Sequence, residues 1–109
     1  MNLEPSKKDW KLFRDRIVLW QESYMEKLVM EYTVLLKDNL PASSKFWALE
    51  QRIKLDKNKP GVILNLSKQQ MLFDIIRLIN DGVITMDDLL DFSDDLRDYV
   101  KEVMSSIGD

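Results

Sequence analysis

"LINDGVITMDDLLDF", residues 78–92, decides the architecture. Asn80-Asp81-Gly82 interrupts two apolar helical patterns, and Thr85 then leads into Asp87 and Asp88. A calcium loop, a DNA-binding helix pair and a plain helical corner all fit that outline. An EF-hand loop needs Gly at its sixth position and oxygen ligands at the first, third and fifth. With Gly82 sixth, Asp81 falls fifth and Asp88 twelfth, but Arg77 falls first and Ile79 third, so the ligand count fails. A helix-turn-helix would push Asp87, Asp88, Asp91, Asp94, Asp95 and Asp98 toward phosphates, with Arg97 alone in opposition, and fails on sign. A corner accounts for every residue. Gly82 ends one helix, Val83 and Ile84 bury beneath the turn, Thr85 caps the next helix, and the aspartates occupy a first turn where negative charge is favoured.

Working outward, the spacing predicts helices on both sides. Upstream, Ser67 and Gln70 form a capping box opening a helix that carries Met71, Leu72, Ile75, Ile76, Leu78 and Ile79. Downstream, Leu89, Leu90, Phe92, Leu96, Val100, Val103 and Ile107 form the last helical region, with Ser93 placed to cap a restart. At the other end, Ser6 and Asp9 make a capping-box-like start. Trp10, Phe13, Ile17, Trp20, Tyr24, Leu28, Tyr32 and Leu35 then recur at helical spacing, widened by Val18, Met25, Val29 and Leu36. No Gly or Pro intervenes before Pro41, so one helix is expected over about 6–38. "NLPASS" breaks it, and Ser43 or Ser44 is expected to cap a second helix holding Phe46, Trp47, Leu49 and Ile53, closed by "DKNKPG". "VILNL", 62–66, is β-prone but has no partner strand, which predicts an extended segment laid over helices. The fold class is therefore all-α: a single four-helix domain over 1–109, with a long first helix and one short extended segment (62–66). Trp20, Leu28, Ile53, Ile76, Leu89 and Leu96 are expected in its core.

Composition excludes several chemistries. There is no Cys and no His, which removes disulfides, thiolate sites, the commonest general base and the commonest transition-metal ligand. Ser6, Ser43, Ser67 and Ser93 have capping roles and no imidazole to activate them. No Gly-rich phosphate loop, signal-peptide core or membrane-spanning apolar run is present, and a cytoplasmic location is expected. The net charge of −3 is uneven: residues 1–59 hold 12 basic and 9 acidic side chains, and residues 60–109 hold 4 and 10.

Two acidic triplets, Asp87/Asp88/Asp91 and Asp94/Asp95/Asp98, share the Asp-Asp-x-x-Asp spacing that holds magnesium in prenyl-diphosphate synthases. Seven residues apart on one stretch, they cannot face each other across a cavity. All-α nucleotide pyrophosphohydrolases are similar in size and acidic clustering, and imply a metal-dependent phosphohydrolase; Glu22, Glu26 and Glu31 on the first helix do not have the matching spacing. Lys7, Lys8, Lys11, Arg14 and Arg16 would serve a nucleic-acid-associated regulator, but Asp9 and Asp15 interrupt them and favour a solvated face.

"DGVITMDDL", 81–89, resembles the hairpin corner of short bacterial oligomerisation modules, in which a Gly-Ile-Ile-Thr-like turn leads into acidic residues. The whole chain resembles short all-helical proteins of Gram-positive bacteria that have no assigned function. These observations predict a non-enzymatic protein–protein interaction or regulatory module with an unknown protein partner. No catalytic residue, metal ligand or cofactor is singled out, and neither membrane nor nucleic acid is expected. The uncovered length of the first helix points to a homodimer.

Overall fold

Ser6 stands in extended backbone, and its hydroxyl accepts the Asp9 amide at 3.0 Å, so the chain turns helical at Lys7. In the computed structural model, which describes residues 3–107, helix α1 runs Lys7–Lys37 without a break. It ends where Asp38 becomes extended, three residues before Pro41. At 1.5 Å per residue it is roughly 46 Å long. Three shorter helices follow: α2 Ala42–Asp56, α3 Met71–Asn80 and α4 Asp94–Ile107. Single 3₁₀ turns at Lys68–Gln70 and Met86–Leu89 precede α3 and α4, and no strand occurs among the described residues.

The second helix starts earlier than its serines suggest. Pro41 precedes its first residue, and the Pro41 carbonyl accepts the Lys45 amide at 3.2 Å. Ser43 and Ser44 therefore lie inside the first turn, and neither caps it. The backbone is ready for a helix directly after Pro41, whose ring already fixes φ near −55°.

The 78–92 corner forms as its sequence requires. Gly82 takes φ +73, its amide reaches the Ile79 carbonyl, and the Val83 amide reaches the Leu78 carbonyl, which closes a Schellman motif. Asp88 reaches back to the Thr85 amide at 2.8 Å. The chain then makes only a short turn, breaks, and restarts at Asp94. The Ser93 hydroxyl accepts the Leu96 amide at 3.2 Å, so Ser93 caps α4.

Asp9 has a larger part than a capping box would give it. Its carboxylate does not fold back on Ser6. It accepts the Ser93 amide at 2.9 Å and the Ser93 hydroxyl at 2.6 Å, 84 residues away. Asp9 is buried, and the bond pins the start of α4 to the first turn of α1.

Around this pin lies the core. Phe13 and Ile17 of α1 pack with Met71, Ile75 and Leu78 of α3, Ile84 and Leu89 of the corner, and Leu96 and Val100 of α4. Trp10 and Trp20 flank it, half-buried, and Trp20 stacks on Phe92 at 6.2 Å. Leu28, Ile76, Leu89 and Leu96 are buried as expected. Ile53 is not: it is 44% exposed on α2. The side chain of Ile107, expected on the same apolar line of α4, lies outside the described residues.

The core covers only the first half of α1. The second half and α2 extend beyond it as an arm. The 58–66 segment ties them back: the Val62 and Ile63 amides close a turn on the Lys59 carbonyl, and 63–67 run on without regular structure. Tyr24 lies flat against Gly61, where a Cβ would come within 2.3 Å of the ring. The molecule measures 53 × 31 × 21 Å, and its radius of gyration is 16.8 Å. A compact chain of this length would have about 13 Å.

The two structural glycines should fail differently when substituted. Gly82→Val meets nothing within 4 Å, so its cost is the left-handed backbone alone, about 1–2 kcal/mol. Gly61→Ala must displace the Tyr24 ring, costing about 1–3 kcal/mol, and should also lower the near-ultraviolet tyrosine signal. Urea denaturation with near-ultraviolet dichroism separates them. Equal spectra for the two variants would contradict the assignment.

Candidate functional site

The arm is positioned by a buried carboxylate. Asp56, at the last turn of α2, is 3% exposed and fully partnered. The Tyr32 hydroxyl donates to it at 2.5 Å, Lys59 Nζ lies at 3.2 Å and Arg52 at 3.5 Å. Arg52 also bonds Glu31 at 2.8 Å and lies over the Tyr32 ring. A charge this buried is tolerated because every side of it meets a donor or a cation. Burial pushes the Tyr32 phenol up to about 12, reinforced by its hydrogen bond to Asp56. Burial also opposes ionisation of Asp56, yet the bonds from Tyr32 and Lys59 outweigh it and hold the carboxyl below its ordinary range. Lys59 is held above its ordinary range by the same bond.

This network fixes the end of α2 against α1 and leaves an apolar trough along their seam. One part, about 260 Å³, is lined by Met25, Leu28, Val29, Tyr32, Ile53, Asp56, Lys57 and Val62. The next, about 510 Å³, is lined by Phe46, Leu49, Glu50, Ile53, Lys54 and Lys57. Ile53 and Lys57 line both parts. Phe46 and Trp47 meet edge-to-face at 5.0 Å and are 64% and 61% exposed. Val29, Met30, Val34, Leu36, Leu40 and Leu55 are exposed on the same arm. Of the residues expected to widen the covered stripe of α1, Val18, Val29 and Leu36 are exposed, and Val29 borders the trough.

The acidic stretch does not form one helical face. The break at Ser93 separates Asp87, Asp88 and Asp91 from Asp94, Asp95 and Asp98. Several of these carboxylates have local work: Asp88 closes the corner, Asp94 pairs with Arg97, and Asp91 accepts Arg16 at 2.6 Å. The cationic neighbour that the cluster invites thus comes from α1 of the same chain. Glu31 is taken by Arg52. Among the described residues, no group of three or more acidic side chains stands close enough to hold a metal ion. Of the basic start of α1, Arg14 lies over Trp10 at 5.3 Å and Arg16 is paired, whereas Lys7, Lys8 and Lys11 face solvent. Among the described residues, no helix is long and apolar enough to cross a membrane.

Sequence reasoning missed Asp56. Inside "DKNKPG" it resembles ordinary solvent charge. The available signal was its spacing, four residues after Arg52 and three before Lys59. No protein-family model, curated protein or solved structure matches this chain.

The Tyr32–Asp56 bond predicts a pH dependence with two limits. Tyr32 has a raised folded pKa, so its contribution is present below pH 10.0 and is lost as pH rises toward about 12. Asp56 has a lowered folded pKa, so its contribution is present above the ordinary carboxylate range and is lost as pH falls through the folded value. Subtracting the phenolate absorbance titration of Tyr32→Phe from that of the unaltered protein should isolate a phenol with a midpoint near 12. A difference midpoint at 10.0 would show that Tyr32 is not engaged.

Proposed function

We propose that this protein is a non-enzymatic cytoplasmic interaction module that self-associates through the α1–α2 arm. The observation that carries the proposal is surface that the chain leaves uncovered. The accessible area is 7718 Å². A compact monomer of 12.9 kDa exposes roughly 6300 Å², so the excess is roughly 1400 Å². A standard interface removes about 800 Å² from each partner, well within that excess. Part of the exposed apolar surface, with Val29, Phe46 and Ile53, lines one trough, and a concentrated apolar patch is what marks an interaction site.

Charge favours a second copy as the occupant. Glu22 and Glu26 stand at helical spacing beside Met25 and Val29, giving the α1 edge of the trough a negative rim. On the α2 edge Lys54 and Lys57 outnumber Glu50, which leaves that rim net positive. A two-fold axis along the trough lays each α1 edge over the partner's α2 edge, so that both rims meet opposite charge. Phe46 and Ile53 are the apolar anchors, since large side chains at the centre of an interface contribute most of its energy.

Multi-angle light scattering at micromolar concentration should give about 26 kDa, twice the 12.9 kDa chain. Phe46→Lys and Ile53→Lys should each return the mass to 12.9 kDa with helix content unchanged, because both side chains are exposed within one chain. A mass of 12.9 kDa for the unaltered protein, constant on concentrating, would refute self-association.

A further inference from the structure

Residues 63–67 form neither helix nor turn, and the side chains at the start of this run alternate as on a strand. Val62 and Leu64 are half-buried, Leu64 against the core, whereas Ile63 and Asn65 are exposed. Ser67 ends the run in extended backbone, with φ −146 and ψ 147. The Ile63 amide is already given to the Lys59 carbonyl at 3.0 Å. Among the described residues, no backbone hydrogen bond reaches the amide or carbonyl of Leu64, Asn65 or Leu66. Buried peptide groups without a partner are rare, so these face water. On an extended chain the groups of Leu64 and Leu66 point to the side opposite those of Ile63. That side is an unpaired, β-prone edge, which is a template for another strand.

The surface beside this edge suits a peptide. An open groove of about 330 Å³ is lined from the run by Ile63, Leu64 and Asn65 and from α3 by Phe73 and Arg77. Ile63 and Phe73 are 57% and 59% exposed, so apolar wall stands free on both sides. Charge narrows the choice of occupant. Lys59 precedes the run, Lys68 follows it and Arg77 borders the groove, while Asp56 before Lys59 and Asp74 on α3 are buried. A second copy of the run would set cations against cations. A strand flanked by carboxylates meets opposite charge instead.

We propose that the 63–66 run binds an extended segment of another protein by strand addition. The segment carries apolar side chains at alternate positions and carboxylates at its ends. Its backbone pairs with Leu64 and Leu66, its apolar side chains lie against Ile63 and Phe73, and its carboxylates meet Lys68 and Arg77. Main-chain pairing supplies the affinity, and the apolar wall and flanking cations supply the selectivity. The groove shares no lining residue with the trough, so its occupancy does not depend on self-association.

The test titrates the full chain with acetyl-Glu-Val-Thr-Val-Thr-Val-Glu-amide to millimolar concentration and follows the backbone amides by NMR. One control peptide has proline in place of the central valine, and a second has lysine in place of both glutamates. The first peptide should shift the Leu64 and Leu66 amides and slow their exchange with solvent. Each control should bind at least about tenfold more weakly, through a lost ladder bond or through repulsion. Leu66→Pro, which removes one donor and keeps Asn65 extended, should weaken the first peptide about tenfold. Leu66→Ala keeps that donor and should lose less. The amide spectrum checks the fold of each variant, and the proline peptide tests the pairing on the unaltered chain. The proposal is overturned if the Leu64 and Leu66 amides neither shift nor slow, if either control peptide matches the first, or if Leu66→Pro and Leu66→Ala bind alike.

Discussion

One constraint organises the molecule: a 31-residue helix must find cover in a chain whose other helices have 15, 10 and 14 residues. The chain spends α3, the corner and α4 on the first half of α1. There Phe13 and Ile17 are fully covered, while Val18 and Leu19 on the opposite side stay exposed. The second half receives only the last turns of α2 and the 58–66 segment. The elongated shape and the surplus of accessible surface both result from this division.

Buried carboxylates mark how the two halves are held. Asp9 ties the first turn of α1 to the start of α4, and Asp56 ties the last turn of α2 to Tyr32. Each meets all the donors it needs, so each adds specificity of geometry without leaving an unpaired charge. Neither tie covers apolar area. The Asp56 tie fixes the end of α2 against α1 and leaves the trough open, so the arm is a positioned surface rather than a loose tail. Asp74 differs in kind. It is as buried as the other two, but its Oδ2 has no hydrogen-bond donor and the nearest Arg77 nitrogen stands 3.8 Å from the other oxygen.

The features legible in the sequence were those that local chemistry determines. The limits of α1 come from a capping serine, an unbroken helical period and a proline beyond its end. Gly82 announces its left-handed turn because only the residue after a helix end needs one there; Ser93 offered a cap for a restart, but the sequence left a continuous helix equally open, and its bonds to Leu96 and to Asp9 decided it. The features that were not legible depend on distant partners. Asp9 looked like half of a local capping box, and its true acceptor role involves a serine 84 residues on. Ser43 and Ser44 have the chemistry of a cap, but Pro41 had already set the backbone. Ile53 has the right spacing for burial, yet burial also needs something opposite, and α1 shares the seam without closing over it. Asp56 and Asp74 are single charges, and nothing adjacent in sequence tells them apart. Asp56 is satisfied because Tyr32, 24 residues earlier, reaches it, whereas Asp74 has only Arg77 at 3.8 Å.

Helix α1 is one continuous helix whose first half its own chain covers, and we propose that a second copy covers the rest. Native-state hydrogen exchange along α1, measured at two protein concentrations, tests it most directly. Amides around Phe13 and Ile17 should exchange only through global unfolding. Amides from Val29 to Leu36 should be less protected at low concentration and gain protection as the protein is concentrated, since association stabilises by mass action. Uniform protection along α1, independent of concentration, would contradict the account.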